Sequence, residues 1–246
     1  MYRFFADASQ VGGGRIRITG SDVNHIRNVL RMKQGEEVLI STGDEWEYSC
    51  SVEELGEDEV VCRILDAQKS GKELPSKIVL YQCLPKGDKM ETVIQKAVEL
   101  GAARIVPVES KRCVVRLDTR KKAARVRRWN AVSEAAAKQS KRMIIPQVAD
   151  VMTYEQMLSD AAGLDRRFVP YEKSQGMNHT REMFSQIKPG QSVGILIGPE
   201  GGFEEAEIEK AEAAGFRAVT LGKRILRTET AGMTMLSILM YLLESD

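Results

Sequence analysis

From Lys77 onward, short apolar segments alternate with segments of helical periodicity, and this alternation constrains the fold more than any other feature. The predicted strands cover residues 78–84, 104–108, 167–171, 192–197 and 218–221, and the predicted helices cover 90–100, 120–140, 204–214 and 229–243. Such alternation is typical of an α/β fold with a mostly parallel sheet and helices on both faces. Residues 192–197 are nearly all apolar, which predicts a central strand.

The first third of the chain follows a different pattern, with several short strands and one helix. The strand-like segments cover 15–18, 37–40 and 59–64, with turns at 12–14, 43–44 and 56–58. After the first of these strands, Ser21 or Asp22 can cap a helix. The apolar residues at helical spacing in it are Val23, Ile26, Val29 and Leu30. We therefore predict a small barrel over 1–72, a linker at 70–76 and an α/β domain over 73–246.

The net charge is only +1, but the basic residues are concentrated in one part of the chain. Residues 75–150 carry 17 Lys and Arg against 7 Asp and Glu, and 12 of these basic residues lie between Lys111 and Arg142. Binding to nucleic-acid phosphates requires such a basic stripe. A solvated helix face is the alternative, but charged helices usually mix both signs, so we favour contact with RNA or DNA.

Several common classes of protein lack support in the sequence. The four cysteines form no C-x-x-C pair and two histidines do not make a usual zinc site, so we expect no metal. Neither G-x-x-x-x-G-K-[ST] nor a strand followed by G-x-G-x-x-G occurs, which argues against a P-loop nucleotidase and a Rossmann-type site. With no export signal and no membrane-length apolar segment, we expect a cytoplasmic protein without membrane contact.

Two glycine-containing loops follow neighbouring predicted strands. Residues 198–202 read Gly-Pro-Glu-Gly-Gly, and residues 221–230 contain both Gly222 and Arg227. Open α/β sheets bind ligands beyond the carboxyl ends of their strands, and glycines let a ligand approach the backbone closely. A lone glycine-rich loop is usually a tight structural turn, but two of them indicate a binding cleft. Residues 85–87 (Pro-Lys-Gly) and 171–172 (Tyr-Glu) also follow predicted strands and are two further positions where a ligand could bind.

These loops carry a family resemblance. Residues 193–203 (Val-Gly-Ile-Leu-Ile-Gly-Pro-Glu-Gly-Gly-Phe) and 219–231 (Val-Thr-Leu-Gly-Lys-Arg-Ile-Leu-Arg-Thr-Glu-Thr-Ala) resemble the two cofactor-loop signatures of the SPOUT RNA methyltransferases. More narrowly, they resemble the bacterial 16S rRNA uridine-N3 methyltransferases. Residues 25–36, 85–101 and 139–142 with Pro146 extend the resemblance along the whole chain. Lys138 departs from the family's pattern, which more often has an acidic residue there.

The resemblance implies a C-terminal SPOUT domain with a deep trefoil knot, preceded by a PUA-like β-barrel. It further implies a homodimer that uses S-adenosylmethionine and no metal to methylate N3 of a specific uridine in 16S rRNA of the small ribosomal subunit. Ribose 2′-O-methylation and a non-catalytic role in RNA binding or ribosome assembly remain as alternatives. The apolar helix at 229–243 supplies either interface surface or core packing.

The resemblance also identifies candidate site residues. For the cofactor these are Leu196, Ile197, Gly198, Gly201, Gly202, Leu221, Gly222, Ile225, Leu226 and Thr230. For RNA they are His25, Arg31, Lys86, Arg112, Arg116, Arg142 and Glu172. Arg227 is the expected catalytic residue, because a fixed guanidinium can stabilise a uracil anion; a salt bridge to Glu229 or Glu200 is its alternative. Glu200 or Glu172 is expected to accept the N3 proton, unless Glu200 caps loop amides. We expect no role for His179, which is predicted to lie in a polar loop.

Overall fold

The chain folds into two compact units. The structure is a computed structural model that describes residues 1–43, 46–69 and 71–244, so Asp44 of the predicted turn and Ser70 of the predicted linker lie outside the described residues. The first unit comprises Met1–Glu73 and Ala137–Ile145, and the second comprises Leu74–Ala136 and the chain from Pro146 onward. Nothing in the sequence pattern indicated that residues 137–145 belong with the N-terminal residues.

A six-stranded mixed sheet forms most of the first unit. Its strands are β1 (Tyr2–Phe5), β2 (Val11–Gly12), β3 (Arg15–Thr19), β4 (Glu37–Ser41), β5 (Trp46–Leu55) and β6 (Glu59–Lys69). The strand order is β1-β4-β5-β6-β3-β2; β1 runs parallel to β4, and the other pairs are antiparallel. We did not predict β1, β2 or β5. In β5, residues 46–53 alternate strictly between apolar and polar, so the period-two pattern of a strand was present in the sequence and was overlooked.

Alternation of side chains across the sheet explains why the predicted segments form strands. In β3, Ile16 and Ile18 are buried in the apolar core, whereas Arg15 and Arg17 are exposed. On the outer face, Arg15 Nε lies 2.6 Å from a carboxylate oxygen of Glu53. Successive residues of a strand point to opposite faces, so this spacing places the apolar side chains in the core and the charged pair in water.

The predicted helix after β3 is short and irregular. α1 (Ser21–Asn24) continues into a π-helical turn, His25–Val29. Val23 and Ile26 are buried, as their spacing predicts, but Val29 is 61% exposed. A π-turn has more residues than an α-turn, so regular helical spacing no longer places position 29 on the buried face.

Residues 137–145 join the first unit from a distant part of the sequence. Met143 is fully buried, and its sulfur accepts a hydrogen bond from Arg3 Nη1 at 3.4 Å. Arg3 is itself only 8% exposed, and Glu47 pairs with its guanidinium. A buried charge needs such a partner, so the first unit depends on this pair as well as on its apolar core.

Two further ion pairs hold the same segment. Lys138 Nζ donates to Asp22 at 2.8 Å, so the residue that departs from the family's pattern has an acidic partner in this chain. Arg142 is only 5% exposed and is bound by Glu73. Glu73 also accepts the backbone N–H of Met143 at 2.8 Å. One carboxylate therefore binds both the side chain and the backbone of the returning segment.

An all-parallel sheet of seven strands forms the centre of the second unit. Its strands are β7 (Ile78–Cys83), β8 (Arg104–Glu109), β9 (Gln147–Val148), β10 (Met152–Thr153), β11 (Arg166–Pro170), β12 (Val193–Ile197) and β13 (Arg217–Val219). The order is β10-β8-β7-β12-β11-β13, with β9 also paired to β8. Every residue of β7 and β12 is buried, which confirms the α/β prediction and the central position of residues 192–197.

Six longer helices accompany this sheet. They are α2 (Lys89–Glu99), α3 (Thr119–Gln139), α4 (Tyr154–Ala161), α5 (Met177–Ser185), α6 (Glu205–Ala213) and α7 (Thr228–Leu243). Four agree with the predicted helices, but α4 and α5 were not predicted. The placement of His179 in a loop was therefore wrong, because α5 contains it. Gly176 gives α5 no capping side chain, and the helix buries only Thr180 and Phe184, which leaves a weak pattern. None of the described helices is long and apolar enough to cross a membrane.

The parallel arrangement brings the carboxyl ends of four strands to one edge of the sheet. β12 lies between β7 and β11, with Ile197 opposite Gln82. β11 in turn pairs with β13, with Pro170 opposite Val219. The loops that follow these strands therefore lie at the same edge of the sheet. Because β11 lies between β12 and β13, the prediction that the two glycine-containing loops follow neighbouring strands was wrong.

Asp160 of α4 links the helix to the sheet. The hydroxyl of the fully buried Tyr81 donates to Asp160 at 2.7 Å, and Arg104 binds both carboxylate oxygens at 2.9 and 3.0 Å. Burial by itself would raise the pKa of Asp160, but the hydrogen bonds from Arg104 and Tyr81 lower it below its ordinary value of 3.8.

We predict that Asp160→Asn lowers the free energy of unfolding at neutral pH by about 1.5–3 kcal/mol, as expected for hydrogen bonds to a charged group. Because the folded state lowers the pKa of Asp160, this contribution is present above about pH 4 and disappears as the pH falls through that pKa. Urea denaturation across this pH range measures it, and Asp150→Asn, at an exposed aspartate, is the matched control. An effect of equal size at acid and neutral pH would contradict the assignment.

Candidate active site

A cleft of about 1010 Å³ opens beyond the carboxyl ends of β11, β12 and β13. Its walls are Arg112, residues 170–173, 197–206 and 220–228, and Ala231. Eight of the ten predicted cofactor residues line it: Ile197, Gly198, Gly201, Gly202, Leu221, Gly222, Ile225 and Leu226. The other two do not. Leu196 is fully buried within β12, and Thr230 lies in the first turn of α7.

The first wall of the cleft is the Gly-Pro-Glu-Gly-Gly loop, residues 198–202. A Cβ atom at Gly198 would lie 3.0 Å from the Phe203 ring, and one at Gly201 would lie 3.3 Å from Cβ of Arg112. Gly202 has φ +68°, a conformation that favours glycine, and its N–H donates to the carbonyl of Pro199 at 2.9 Å. Side chains at these positions would collide with their neighbours or strain the turn, so this wall is largely backbone.

The second wall is the loop that connects β13 to α7. Gly222 has φ +113°, and its N–H donates to the hydroxyl of Thr220 at 3.3 Å. Leu221 and Leu226 are half-buried at the cleft, whereas Ile225 is 89% exposed. The cleft thus combines glycine backbone on one side with aliphatic side chains on the other. An aromatic ring with a polar edge fits such a site, because amides can bind its edge and aliphatic groups its faces.

Glu200 stabilises the loop of residues 198–202 through hydrogen bonds. One of its carboxylate oxygens accepts the backbone N–H of Lys86 and the ammonium of Lys89, each at 3.1 Å. Lys89 Nζ also lies 3.5 Å from Glu229. Burial raises the pKa of Glu200, but the hydrogen bonds from backbone amides and from Lys89 outweigh it, so the pKa is lowered overall. A carboxylate with a lowered pKa is a weak base, which favours the loop-capping role over proton acceptance.

Arg227 lies at the N-cap of α7, is exposed and lines the cleft. The salt bridges to Glu229 and Glu200 that were its alternative role do not form; Lys89 lies 3.1 Å from Glu200 and 3.5 Å from Glu229 instead. Within the described part of the chain, the Arg227 guanidinium has no hydrogen bond or ion pair. It is therefore available to a ligand in the cleft.

Four carboxylates line the cleft, and three of them have cationic partners. Glu200 pairs with Lys89, Glu204 with Lys111 at 2.7 Å, and Glu205 with Lys173. Glu172, which follows β11, is exposed and makes no ion pair or hydrogen bond with a described residue. In the described ranges, no group of three or more His, Cys, Asp or Glu side chains is placed to hold a metal ion.

The predicted RNA-binding residues of the second unit differ in their surroundings. Arg112 lines the cleft, and its Nη1 donates to the carbonyl of Gly201 at 3.1 Å. Arg116 is exposed and donates to the carbonyl of Lys111 at 3.0 Å. Lys86 is exposed at the end of β7. All three side chains are exposed, but Arg112 contacts the glycine loop and lies 3.9 Å from Glu204, whereas Arg116 and Lys86 have no acidic partner among the described residues.

The first unit contains the other three candidates. His25 is exposed, with its ring centroid 6.4 Å from that of Phe4. Arg31 is exposed with φ +53°, which costs free energy in a residue other than glycine and is frequent at functional sites. Arg142 is buried against Glu73, so its guanidinium does not face solvent, and this position does not support contact with phosphate.

The basic stripe is largely neutralised by acids from other elements. In α3, Lys122 lies 2.7 Å from Glu109, and Arg128 lies 2.6 Å from Glu91. Lys121 and Arg125 also have acidic partners, Asp118 and Asp88. Arg120 and Arg127 are exposed without an ion pair among the described residues. The stripe therefore offers fewer free cations than the sequence count predicts.

Two residues that were not predicted from the sequence also organise the cleft. Lys89 neutralises Glu200 and Glu229 together, and Thr228 lines the cleft while its hydroxyl donates to the carbonyl of Gly198 at 2.6 Å. Neither residue carries a local signal, because a lysine in a helix and a threonine at a helix start are common. Their roles depend on loops that only the sheet brings together.

We predict that Arg112→Ala weakens binding of S-adenosylmethionine, the cofactor that the resemblance implies, about fivefold, since one hydrogen bond to the loop carbonyl contributes about 1 kcal/mol. The salt dependence of RNA binding should not change, because Glu204, 3.9 Å from Arg112 Nε, already compensates the charge of this guanidinium. Calorimetry and RNA-binding titrations at several salt concentrations measure the two effects. Arg116→Ala is the matched control. It should lower the salt dependence of RNA binding and leave the affinity for S-adenosylmethionine unchanged. A lower salt slope with normal cofactor affinity in Arg112→Ala would restore the phosphate-binding role.

Comparison with known proteins agrees with this geometry. Residues 72–240 match the family model described as RNA methyltransferase domain, and residues 18–65 match the model described as RNA methyltransferase PUA domain. A similar solved structure is that of a ribosomal RNA small subunit methyltransferase E from Neisseria gonorrhoeae bound to S-adenosyl methionine. It is 32% identical, with a TM-score of 0.85 and 98% of each chain covered.

Curated relatives of this chain carry the same name as that structure. Ribosomal RNA small subunit methyltransferase E of Bacillus subtilis (strain 168) is 39% identical over 91% of this chain and 89% of its own length. The protein of that name from Mesomycoplasma hyopneumoniae (strain 232) is 33% identical over 96% of this chain and 98% of its own. The chain therefore belongs to the family of ribosomal RNA small subunit methyltransferases E.

Proposed function

We propose that this chain is an enzyme that transfers a methyl group from S-adenosylmethionine to N3 of a specific uridine in 16S rRNA. The observation that carries this proposal is the cleft between residues 198–202 and 220–228, where glycine backbone faces aliphatic side chains and the Arg227 guanidinium is free. Two of the relatives and the similar structure carry a methyltransferase name, and that structure contains the methyl donor.

The walls of the cleft suit an adenosine-containing cofactor. Backbone of the Gly-Pro-Glu-Gly-Gly loop can hydrogen-bond a polar ring edge, and Leu221 and Leu226 can pack on its faces. Added Cβ atoms at Gly198 and Gly201 would meet neighbouring groups at 3.0 and 3.3 Å, so the glycines keep the loop in its compact form. When bound, the cofactor supplies an electrophilic methyl group on a sulfonium.

Arg227 and Glu172 can prepare the uridine. Uracil N3 carries a proton and becomes a good nucleophile only when that proton leaves, which places negative charge on the carbonyl oxygens. The Arg227 guanidinium would donate hydrogen bonds to this charge. Glu172 is the carboxylate of the cleft without a described cationic partner, so we assign it the N3 proton, directly or through a water molecule.

Contacts with rRNA would come from both units. In the first unit, proposed as the PUA-like barrel of residues 1–72, exposed His25 and Arg31 are the candidates. In the second, proposed as the knotted SPOUT domain of residues 73–246, they are Lys86 and Arg116. Uncompensated cations bind phosphates without reading the base, so these residues would position the RNA. We place the substrate within the small ribosomal subunit, in the cytoplasm.

A homodimer would use the outer side of α7. Met235, Leu236, Leu239 and Leu243 are buried within the chain, so core packing accounts for them. Tyr241 is 83% exposed and Leu242 is 45% exposed on the same helix. Exposed apolar side chains of this size are frequent at interfaces between subunits. The dimer interface that we propose therefore centres on the end of α7.

We predict that the wild-type chain binds S-adenosylmethionine saturably and that Gly201→Val weakens binding about tenfold or more, because overpacking against Arg112 costs about 1–3 kcal/mol. Isothermal calorimetry measures both constants. Gly163→Val is the matched control, since space around Gly163 is open and its φ is not positive. Failure of the wild type to bind would leave an RNA-binding protein without this enzyme activity.

We further predict that Arg227→Ala lowers kcat about 10²–10³-fold while the Kd for S-adenosylmethionine stays within about twofold, as expected for a donor that acts on developing charge. Arg217→Ala, at the opposite end of β13, should leave kcat unchanged. Mass spectrometry of nucleosides from methylated small subunits identifies the product. A methyl group on ribose instead of uracil N3 would contradict the proposed reaction.

A further inference from the structure

A buried chain of hydrogen bonds lies beneath the cleft. Gln82, in the central strand β7, is fully buried and lies opposite Ile197, the last residue of β12. Its Nε2 donates to the hydroxyl of Thr228 at 2.8 Å and to the carbonyl of Cys83 at 3.0 Å. The Thr228 hydroxyl donates in turn to the carbonyl of Gly198 at 2.6 Å. These hydrogen bonds thus join a central strand to both loops of the cleft.

The chemistry of the Gln82 amide, the Thr228 hydroxyl and the Gly198 carbonyl determines which group donates and which accepts in each hydrogen bond. An amide nitrogen only donates and a carbonyl oxygen only accepts, so the hydroxyl between them must accept from Gln82 and donate to Gly198. Rotating the Gln82 amide would place its oxygen against the carbonyl of Cys83, where two acceptors would repel each other. The hydroxyl proton of Thr228 therefore has one favourable orientation.

Folding alone does not explain Gln82. Its Oε1 is buried, has no hydrogen-bond partner among the described residues, and lies 3.5 Å from the position of a Cβ built on Gly232. An unsatisfied buried carbonyl destabilises a fold, and an apolar side chain of similar size would avoid that cost. Because Gln82 destabilises the fold in this way, its presence indicates a role in the cleft.

We propose that Gln82 and Thr228 are positioning residues for the cofactor. They hold the carbonyl of Gly198, and with it the peptide plane that leads into Pro199, in the orientation that begins the glycine loop. Because Thr228 directly follows Arg227, the same hydroxyl ties the start of α7 to that loop. The two walls are then joined before any ligand arrives, which lowers the entropic cost of binding. This inference rests on the proposed function.

The test separates stability from affinity with four variants of the full chain. Thr228→Val removes the hydroxyl and leaves the Gln82 amide without its partner, so both the Tm and the affinity for S-adenosylmethionine should fall. The double variant Gln82→Met, Thr228→Val also removes that amide and the unpaired Oε1, so its Tm should recover. Its Kd, measured by calorimetry, should remain about five- to tenfold above that of the wild type, as expected for a lost hydrogen bond.

Two further variants complete the design. Thr228→Ser keeps the hydroxyl and should bind the cofactor like the wild type. Thr234→Val is the matched control, because the Thr234 hydroxyl donates only to the carbonyl of Thr230 within the same helix. Should Thr228→Val not fold, the serine and double variants decide the question.

The outcomes are distinct. Recovery of affinity together with Tm in the double variant would show a merely structural role and overturn the proposal. Weak binding by Thr228→Ser, or normal binding by Thr228→Val, would overturn it as well. A wild type that does not bind S-adenosylmethionine would remove the proposed function, and this inference with it. The proposal is supported if the double variant recovers its Tm but still binds S-adenosylmethionine weakly, and if Thr228→Ser binds it like the wild type.

Discussion

The parallel pairing of β7 with β12 is the constraint on which the site depends. Both strands are fully buried, and their register places Gln82 opposite Ile197. Gly198 therefore follows directly beside the end of β7, where Lys86 donates its N–H to Glu200. A shift of register by one residue would turn each apolar side chain to the other face and separate these groups. The cleft is thus a consequence of strand pairing in the core.

Charge neutralisation decides which side chains in the cleft are free. Lys89 pairs with both Glu200 and Glu229, and Arg227 pairs with neither carboxylate. With Glu204 and Glu205 also paired, the carboxylate of Glu172 and the cations Lys223, Arg224 and Arg227 remain without described partners. A free donor and a free acceptor beside the cleft are what the proposed deprotonation of an imide requires.

The same long-range electrostatics changes the interpretation of the basic residues. A count along the sequence shows 12 basic residues between Lys111 and Arg142, but acids from other elements neutralise many of them. Arg142 is buried against Glu73, in a segment that completes the N-terminal unit. Charge density along a chain therefore overestimates charge density on the surface, because folding selects opposite charges as neighbours.

The sequence by itself determined the alternation of strands and helices, the central strand at 192–197 and most residues of the cleft walls. The strands and helices follow from local periodicity, and the residues of the cleft walls follow from two glycine-containing loops and from the family resemblance that these loops carry. Only the tertiary structure decided that residues 137–145 join the first unit, that Lys89 pairs with Glu200, and that Gln82 reaches Gly198 through Thr228. These contacts join segments that are distant in the chain, and no periodic pattern records which distant groups a folded sheet brings within hydrogen-bond distance.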